Sequence, residues 1–412
     1  MSWSHRTYSR AVSLALVSSA FAAGLRVEEL ERMAVERNPA VRRAEAQVLA
    51  AQGRQRQAGA YPNPVVGLNA DEVNGGPTIR YGEWGGFASQ QIVTGGKRGL
   101  DRGIAGQDLA ATKAMSNAER QRIVNAARAL FYHALADQRL LDVRGELASI
   151  ARSTGKISRE LANVGQADQP DMLAAEIEEQ RAELGLQMVG NARARTWREI
   201  SALVDRTLAP QPLEGDLDAV PKVDLDAILR VLEKHSPDLE QASALVARSE
   251  LAVKRAEAAR IPDIEVRSGL RYNRELLEIN RRPVGLETFL DVGVRIPLFD
   301  RNRGNIAAAK AEREAARLEP RRVALLLHAR LAAAYQDYVD STQAVDRYRT
   351  EMIPRAETAY QTYLRNFRAM SAAYPNALNA QRTLFMLREQ EVESLAAAWR
   401  SVVELEGLLL GH

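Results

Sequence analysis

From Leu100 to Val164 the chain runs 65 residues without a proline, and most of those residues are good helix formers. At about 1.5 Å of rise per residue such a run is a rod of roughly 95 Å, too long to lie inside a compact domain. Its distal half sets Val143, Leu147, Ile150, Thr154, Ile157, Leu161 and Val164 at alternating spacings of four and three, a coiled-coil seam that calls for a second helix alongside. Residues 171–204, beyond a turn at Gly165, are predicted to return antiparallel and supply it.

The rod belongs to a unit that occurs twice. Val35-Glu36-Arg37-Asn38-Pro39 is answered by Glu233-Lys234-His235-Ser236-Pro237, with the prolines 198 positions apart. Each leads into an Ala-rich charged helix that stops at proline, at Tyr61-Pro62-Asn63-Pro64 and at Ile261-Pro262. Gly67-Leu68 matches Gly269-Leu270, Lys97-Arg98-Gly99 matches Asn302-Arg303-Gly304, and the stretch Gly165 to Leu173 matches Met370 to Leu378. The landmarks keep their order while the offset drifts from 198 to 205, which marks an internal repeat. The sequence therefore divides into residues 24–210 and 211–412. In the second copy a long helix is predicted over 306–367, with kinks or breaks at Pro320 and Pro354, and a returning helix over 377–410.

Between the short helix and the rod each copy reads as a β-hairpin. Strands are predicted at 65–71 and 84–93 and again at 264–271 and 288–298. The last has Leu290, Val292, Val294, Ile296 and Leu298 on one face and Asp291, Gly293 and Arg295 on the other. The strand at 84–93 is the weakest, interrupted by Gly85, Gly86 and Gln90. Four strands cannot close a barrel around a pore, and an open sheet with an apolar outer face leaves its edges bare. Three chains would bring twelve strands, an even number within the range of outer-membrane barrels.

Secretion is read from residues 1–23, where Arg6 and Arg10 precede a small-apolar run that ends in Ala20-Phe21-Ala22, the order of a signal peptide. Without those two arginines the balance is 54 basic to 53 acidic side chains, so the pI of 9.1 gives no case for nucleic acid. There are no cysteines, which excludes disulfides, thiol catalysis, thiolate metal sites and a lipidated N-terminal cysteine. No later segment approaches the roughly 18 apolar residues of a membrane-crossing helix, so a membrane-spanning form must be a closed β-barrel. Gly95-Gly96-Lys97-Arg98-Gly99 lacks the spacing of a phosphate-binding loop and reads as a strand-to-helix turn. The histidines at 5, 133, 235, 328 and 412 have no second ligand at metal-binding spacing. No catalytic residue, cofactor or metal site is expected.

Taken together, Ser89-Gln90-Gln91-Ile92-Val93-Thr94-Gly95-Gly96-Lys97-Arg98, Val294-Arg295-Ile296-Pro297-Leu298-Phe299-Asp300 and Ile353-Pro354-Arg355-Ala356-Glu357-Thr358-Ala359-Tyr360 resemble the TolC-like outer-membrane factor family over essentially the whole mature length. The Gly-Gly-Lys-Arg element and the Ile-Pro-Leu-Phe segment are most similar to its heavy-metal, CzcC-like branch. The resemblance implies a mainly α fold with a small β part: a homotrimer whose 12-stranded barrel sits in outer-membrane lipid and continues as an α-helical tunnel across the periplasm. It further implies docking onto a membrane-fusion adaptor and an inner-membrane pump, of the RND type for the metal branch, and a passive duct that catalyses nothing. Protein secretion by a type I system or export of organic compounds would use the same fold. A secreted coiled-coil scaffold without a pore is the reading from a different class.

The turns joining the long helices are the candidate functional positions. Asp168, Asp171 and Glu176, with Glu178 and Glu179, crowd the first turn, and three-fold symmetry would make any inward-facing acid a ring of three. Where the family places acids in the second returning helix this chain has Asn376 and Asn379, so entrance charge is expected from Asp168 and Asp171. Asp171 and Glu176 would equally stabilise a helix N-terminus. Val164, Gly165 and Gln166 of the first turn and Ala369 and Met370 of the second are the expected adaptor-docking surface. Gly165 also serves as the cap of the long helix.

Overall fold

The computed structural model describes residues 24–72, 82–165, 168–276, 282–369 and 374–410. The signal-peptide reading of residues 1–23 therefore lies outside the described residues. The order of elements is α1 (Val27–Arg37), α2 (Pro39–Ala58), β1 (Val65–Asp71), β2 (Glu83–Ile92), α3 (Lys97–Asn163), α4 (Gln169–Leu203), α5 (Leu225–His235), α6 (Pro237–Ala258), β3 (Ile264–Leu276), β4 (Pro283–Val294), α7 (Arg303–Arg347), a π-helical turn (Tyr348–Met352), α8 (Ile353–Arg368) and α9 (Tyr374–Leu410). α3 is one unbroken helix of 67 residues. The short helices carry their own start signals. Asn38 accepts a hydrogen bond from the Ala40 N–H ahead of α2, which has Pro39 in its first turn, and Asp224 accepts from Asp226 and Ala227 ahead of α5.

The two expected proline irregularities come out differently. Pro320 lies inside α7, which continues through it. Ahead of Pro354 the backbone widens into the π-helical turn, in which the Ile353 N–H reaches back to the Tyr348 carbonyl. This absorbs the bond that the proline cannot make. Residues 303–368 thus form one continuous helical run in which the π turn divides α7 from α8 just ahead of Pro354, one of the two places where an irregularity is expected.

The chain divides into two compact units, each drawing segments from both copies of the repeat. One comprises residues 24–34, 127–220 and 341–400. In it the distal half of α3 packs on α4 and the π turn, α8 and α9 pack beside them. Its seam is made of small residues as much as of large ones: Ala148, Ala151, Gly155 and Ser158 of α3 are buried along with Leu147 and Thr154, and Ala175, Ala182 and Gly185 of α4 are buried too. Side chains of that size let the two backbones approach closely. Val164, placed in the seam by its spacing, is 66% exposed, so the seam ends at Leu161. At the other end of this unit the segment after α4 is tied down: Leu25 bridges Leu213, the Trp399 indole N–H donates to the Leu217 carbonyl, and Tyr132 stacks on Trp399 at 3.7 Å.

The second unit comprises residues 35–126, 221–340 and 401–410 and contains the sheet. Its helical part buries Ile228, Leu232, Leu327, Leu331, Leu405 and Leu408 together. The four strands form one antiparallel sheet in chain order. β1 pairs β2 with Gly67 opposite Phe87, β2 pairs β3 with Phe87 opposite Gly269, and β3 pairs β4 with Gly269 opposite Phe289.

Two strands of the second hairpin are longer or shorter than the alternation predicts. β3 runs on to Leu276 and β4 begins at Pro283, because the charged residues that end the apolar pattern pair with one another across the sheet. Arg271 bridges Glu83 at 2.6 Å and Glu287 at 3.0 Å, and the Asn273 amide donates to buried Glu83 at 2.8 Å. β4 ends at Val294, not at 298. Val294 lies opposite Ile264, the first residue of β3, and beyond it the neighbour is Pro262-Asp263, with no ladder to offer. The glycines that weaken the β2 pattern are what β2 requires. A Cβ on Gly85 would come within 2.4 Å of the Leu270 carbonyl oxygen, so only glycine lets β2 and β3 lie this close.

Candidate duct-forming sheet and entrance tips

Register sorts every strand residue onto one of two faces, since directly paired residues point the same way and neighbours alternate. Through the regular ladder, which ends at the Asn273 and Gly285 pair, one face holds Val66, Leu68, Ala70, Trp84, Ala88, Ile92, Ile264, Val266, Leu270, Tyr272, Leu286, Leu290, Val292 and Val294, with Gln90, Ser268 and Thr288 among them, and no charged residue; Arg274 lies beyond it, in the register shift. This face is bare: Leu68 is 89% exposed and Leu286 69%. The opposite face carries Asn69, Ser89, Gln91 and Asn273 with five carboxylates, Asp71, Glu83, Glu265, Glu287 and Asp291, against two guanidiniums, Arg267 and Arg271. Large exposed aliphatic side chains on one side and an acid-rich polar surface on the other are what a barrel wall between lipid and water requires.

The polar face is braced by a motif that also repeats. Phe87 covers Gly67 and Phe289 covers Gly269. A Cβ on either glycine would sit 2.7–2.8 Å from the ring. Both pairs are related by an offset of 202, so the second aromatic and glycine are copies of the first. The Arg267 guanidinium lies over both rings, at 3.9 and 5.6 Å from their centroids. At the corner where β2 turns into α3, Lys97 is buried and its ammonium donates to the Ile261 carbonyl at 2.6 Å and to Asp263 at 2.8 Å. Asp263 also accepts from the Thr94 N–H and the Gln91 amide. Burial pushes its carboxyl up, but the hydrogen bonds from Lys97, Thr94 and Gln91 and the Lys97 charge prevail and hold it below the usual range. Sequence reading gave Lys97 only the role of a turn residue; its partner, 166 positions away, carries no local signal.

The tips lie in the first unit. Gly165 takes φ +73, the left-handed conformation that ends a helix, and its N–H donates to Ala162. It is exposed, and nothing stands within 4 Å of where a Cβ would be. Val164 and Ala369 are exposed beside their turns, whereas Gln166 and Met370 lie outside the described residues. Asp168 occupies the position before α4 with its side chain exposed and making no capping bond. Asp171, one turn on, is half-buried, and burial, with the Asp168 charge adding to it, raises its carboxyl. Glu176 is different: Arg159 bridges it at 3.6 Å and Glu179 at 3.2 Å. Glu178 is held by Arg181 at 2.9 Å and by Arg382 of α9. Three of the five acids near the turn are therefore neutralised in place, and among the described residues no ion pair reaches Asp168 or Asp171, the pair left to set the local charge. Asn376 and Asn379 are exposed at the start of α9.

Beneath the tips Ala175, Phe367, Ala377 and Leu378 form one buried cluster with Ile157 and Leu161, which locks the two helical hairpins to each other. The Arg382 bridge to Glu178 does the same at the surface. Neither was read from the sequence, where Arg382 is one of many arginines. α4 leaves Leu173, Ile177 and Leu184 exposed around a groove of about 700 Å³. Among the described residues no group of three His, Asp or Glu side chains could hold a metal, and no helix is long and apolar enough to cross a membrane.

The family model described as outer membrane efflux protein matches residues 30–205 and again 228–411. The chain belongs to the outer membrane efflux protein family. Its likeness to the cobalt-zinc-cadmium resistance protein CzcC of Cupriavidus metallidurans is 26% identity over 277 residues, 67% of this chain and 64% of that protein, so the match spans just under two thirds of the relative. The fold is that of solved channels. A CusC structure, described for the conformational changes that accompany folding and transmembrane channel formation, superposes with a TM-score of 0.81 over 99% of both chains at 16% identity. The open state of the Neisseria gonorrhoeae MtrE outer membrane channel gives 0.78 over 94% of this chain and 89% of that one, also at 16% identity. The outer membrane efflux proteins are channels, and the TolC-like resemblance read from the sequence, with its four-stranded sheet and long helices, is the fold this chain has.

Proposed function

We propose that this outer membrane efflux protein is one protomer of a homotrimeric outer-membrane duct. In this reading the duct receives its cargo from a periplasmic adaptor and an RND-type inner-membrane pump, and the cargo is heavy-metal cations. The observation that carries the duct is the sheet: four strands with an exposed apolar face, uncharged along the regular ladder, and two unpaired edges, which need other copies to close. The preference for cations is supported by the five-to-two excess of carboxylates on the polar face and by the two unneutralised aspartates at the tip. The likeness to a cobalt-zinc-cadmium resistance protein points the same way. The duct binds no cargo tightly and catalyses nothing; directionality comes from the pump. Adaptor docking falls to the exposed Val164, Gly165 and Ala369, with Gln166 and Met370 next to them.

The test is the sensitivity of a strain lacking this chain. Killing by lower cobalt, zinc or cadmium, restored by the wild-type chain, supports cation export. Sensitivity to dyes, detergents or drugs alone, or loss of a secreted protein, would move the chain to the organic-compound or type I branch.

A further inference from the structure

We infer that the sheet edges of neighbouring protomers join β4 to β1 with a stagger of six residues per protomer, placing Val294 opposite Leu68 of the partner subunit and Ile296 opposite Val66 of the partner subunit. This rests on the homotrimer proposed above and fixes how its chains meet.

The template lies within the chain. The β2–β3 junction joins the end of one hairpin to the start of the other, and a β4–β1 junction would join the same two kinds of strand in the next chain. Its geometry can be copied by using structural landmarks of the repeat at the rim where strands meet helices. On the entering side, α2 ends at Ala58 and α6 at Ala258, 200 apart, each four residues before a proline at Pro62 or Pro262. On the leaving side, Gly96 and Asn302, 206 apart, both take positive φ, and each carbonyl accepts the first helical bond, from Leu100 and Ile306 respectively. In β2–β3, Ala88 faces Ser268, Phe87 faces Gly269 and Gln90 faces Val266. Moving the β2 residue forward by 206 and the β3 residue back by 200 puts Val294 opposite the partner's Leu68, Gly293 opposite the partner's Asn69 and Ile296 opposite the partner's Val66.

Three observations support this register. Both offsets are even, so the apolar face stays continuous across the junction: Val292, Val294 and Ile296 meet the partner's Ala70, Leu68 and Val66. Six residues per protomer is a stagger of 18 around three chains. With about 3.3 Å per residue and about 4.8 Å between strands, twelve strands then tilt by about 45°, at the upper end of the range for such barrels. And the strand pattern that runs to Leu298 in the sequence but stops at Val294 in the single chain acquires a partner: Arg295 and Ile296 gain a ladder that β3 cannot give them.

The simpler copy, which uses the offset of 202 between Gly67 and Gly269 on both sides, fails. It would set Phe289 against the partner's Gly67 with no stagger, hence no tilt, and the space over Gly67 is already filled by Phe87. The staggered register does bring Asp291 opposite the partner's Asp71, a like-charge contact that weakens that end of the ladder.

The chain has no cysteine, so engineered pairs report without background. Direct neighbours across a ladder have Cβ atoms about 4.5–5.5 Å apart and diagonal ones about 7–8 Å, beyond disulfide reach. Asn69→Cys combined with Gly293→Cys tests the six-residue stagger, Asn69→Cys with Asp291→Cys a stagger of four, and Asn69→Cys with Glu287→Cys none. A Cβ on Gly293 meets nothing within 4 Å. Val66→Cys with Ile296→Cys is a second six-residue pair, on the other face and at the alternate hydrogen-bonding position. After oxidation of detergent-purified trimers, boiled non-reducing gels should convert the monomer band to covalent dimer and trimer for the six-residue pairs alone, reversibly with dithiothreitol. Cross-linking by the Asp291 or Glu287 pair, or by no pair in a protein that is trimeric by light scattering, overturns the register. If Asn69→Cys with Gly293→Cys does not assemble, the Val66 and Ile296 pair decides by the same criterion. A wild-type protein that is monomeric in every detergent overturns instead the homotrimer on which the register rests.

Discussion

Removing one member of the Lys97 and Asp263 pair should loosen the corner at which the two hairpins join. The Lys97 side chain is 9% exposed and that of Asp263 25%, so neither ion is fully rehydrated when its partner goes. Breaking a fully buried pair costs about 3–5 kcal/mol. Here Asp263 keeps the Thr94 and Gln91 donors and touches water, which places Lys97→Met at about 2–3 kcal/mol. Asp263→Asn, which removes the counter-charge and leaves the buried ammonium only neutral acceptors, should cost about 2 kcal/mol. The double variant should fall short of the sum by roughly 1.5–2 kcal/mol, the coupling of the pair. Hydrogen exchange of peptides covering β2 and β3 reads this as local opening, and 2 kcal/mol corresponds to roughly thirtyfold faster exchange. The sign of the pH dependence is fixed by the depressed carboxyl. Its stabilisation is fully present above the ordinary aspartate value of 3.8 and is lost as pH falls through the lower folded value, so wild type and Lys97→Met should converge only below about pH 4. Exchange rates of both single variants within threefold of wild type, or strictly additive effects in the double, would refute the reasoning.

Other perturbations have equally definite outcomes. Asp168→Asn with Asp171→Asn should lower cation over anion selectivity of single channels in planar bilayers without changing trimer yield; unchanged selectivity removes these residues from the entrance. Gly165→Trp should abolish export in cells while trimers still assemble, since the site is open to solvent, whereas export at wild-type level would move docking elsewhere. Gly269→Ala should destabilise the sheet by about 1–3 kcal/mol in guanidinium unfolding, because its Cβ would meet the Gly86 carbonyl oxygen at 2.3 Å and the Phe289 ring at 2.7 Å.

How much of this was legible in the sequence depended on range. The rods, the hairpins and the duplication are written in proline spacing and in alternation of period two or three and a half, which are local and survive in one chain's letters. Strand ends were not. β3 and β4 lengthen because Arg271, Glu83, Glu287 and Asn273 satisfy one another across three strands, and β4 shortens because its neighbour begins at Ile264; both are facts about pairing, invisible along a single strand. Gly85 and Gly86 weakened the strand pattern for the same reason: the close approach that demands Gly85 is made by Leu270, 185 positions on. At the tips the turn residues were legible from Gly165 and the crowd of acids. Which acids remain charged and free was not, because Arg159 and Arg382 come from other helices.

The central claim is that the sheet is one third of a closed barrel, and the mass of the detergent-solubilised particle tests it most directly. Light scattering corrected for bound detergent should give three chains of about 45 kDa each, a little less if residues 1–23 are removed. A single chain per micelle, with its apolar sheet face covered by detergent and its edges unpaired, would contradict the account.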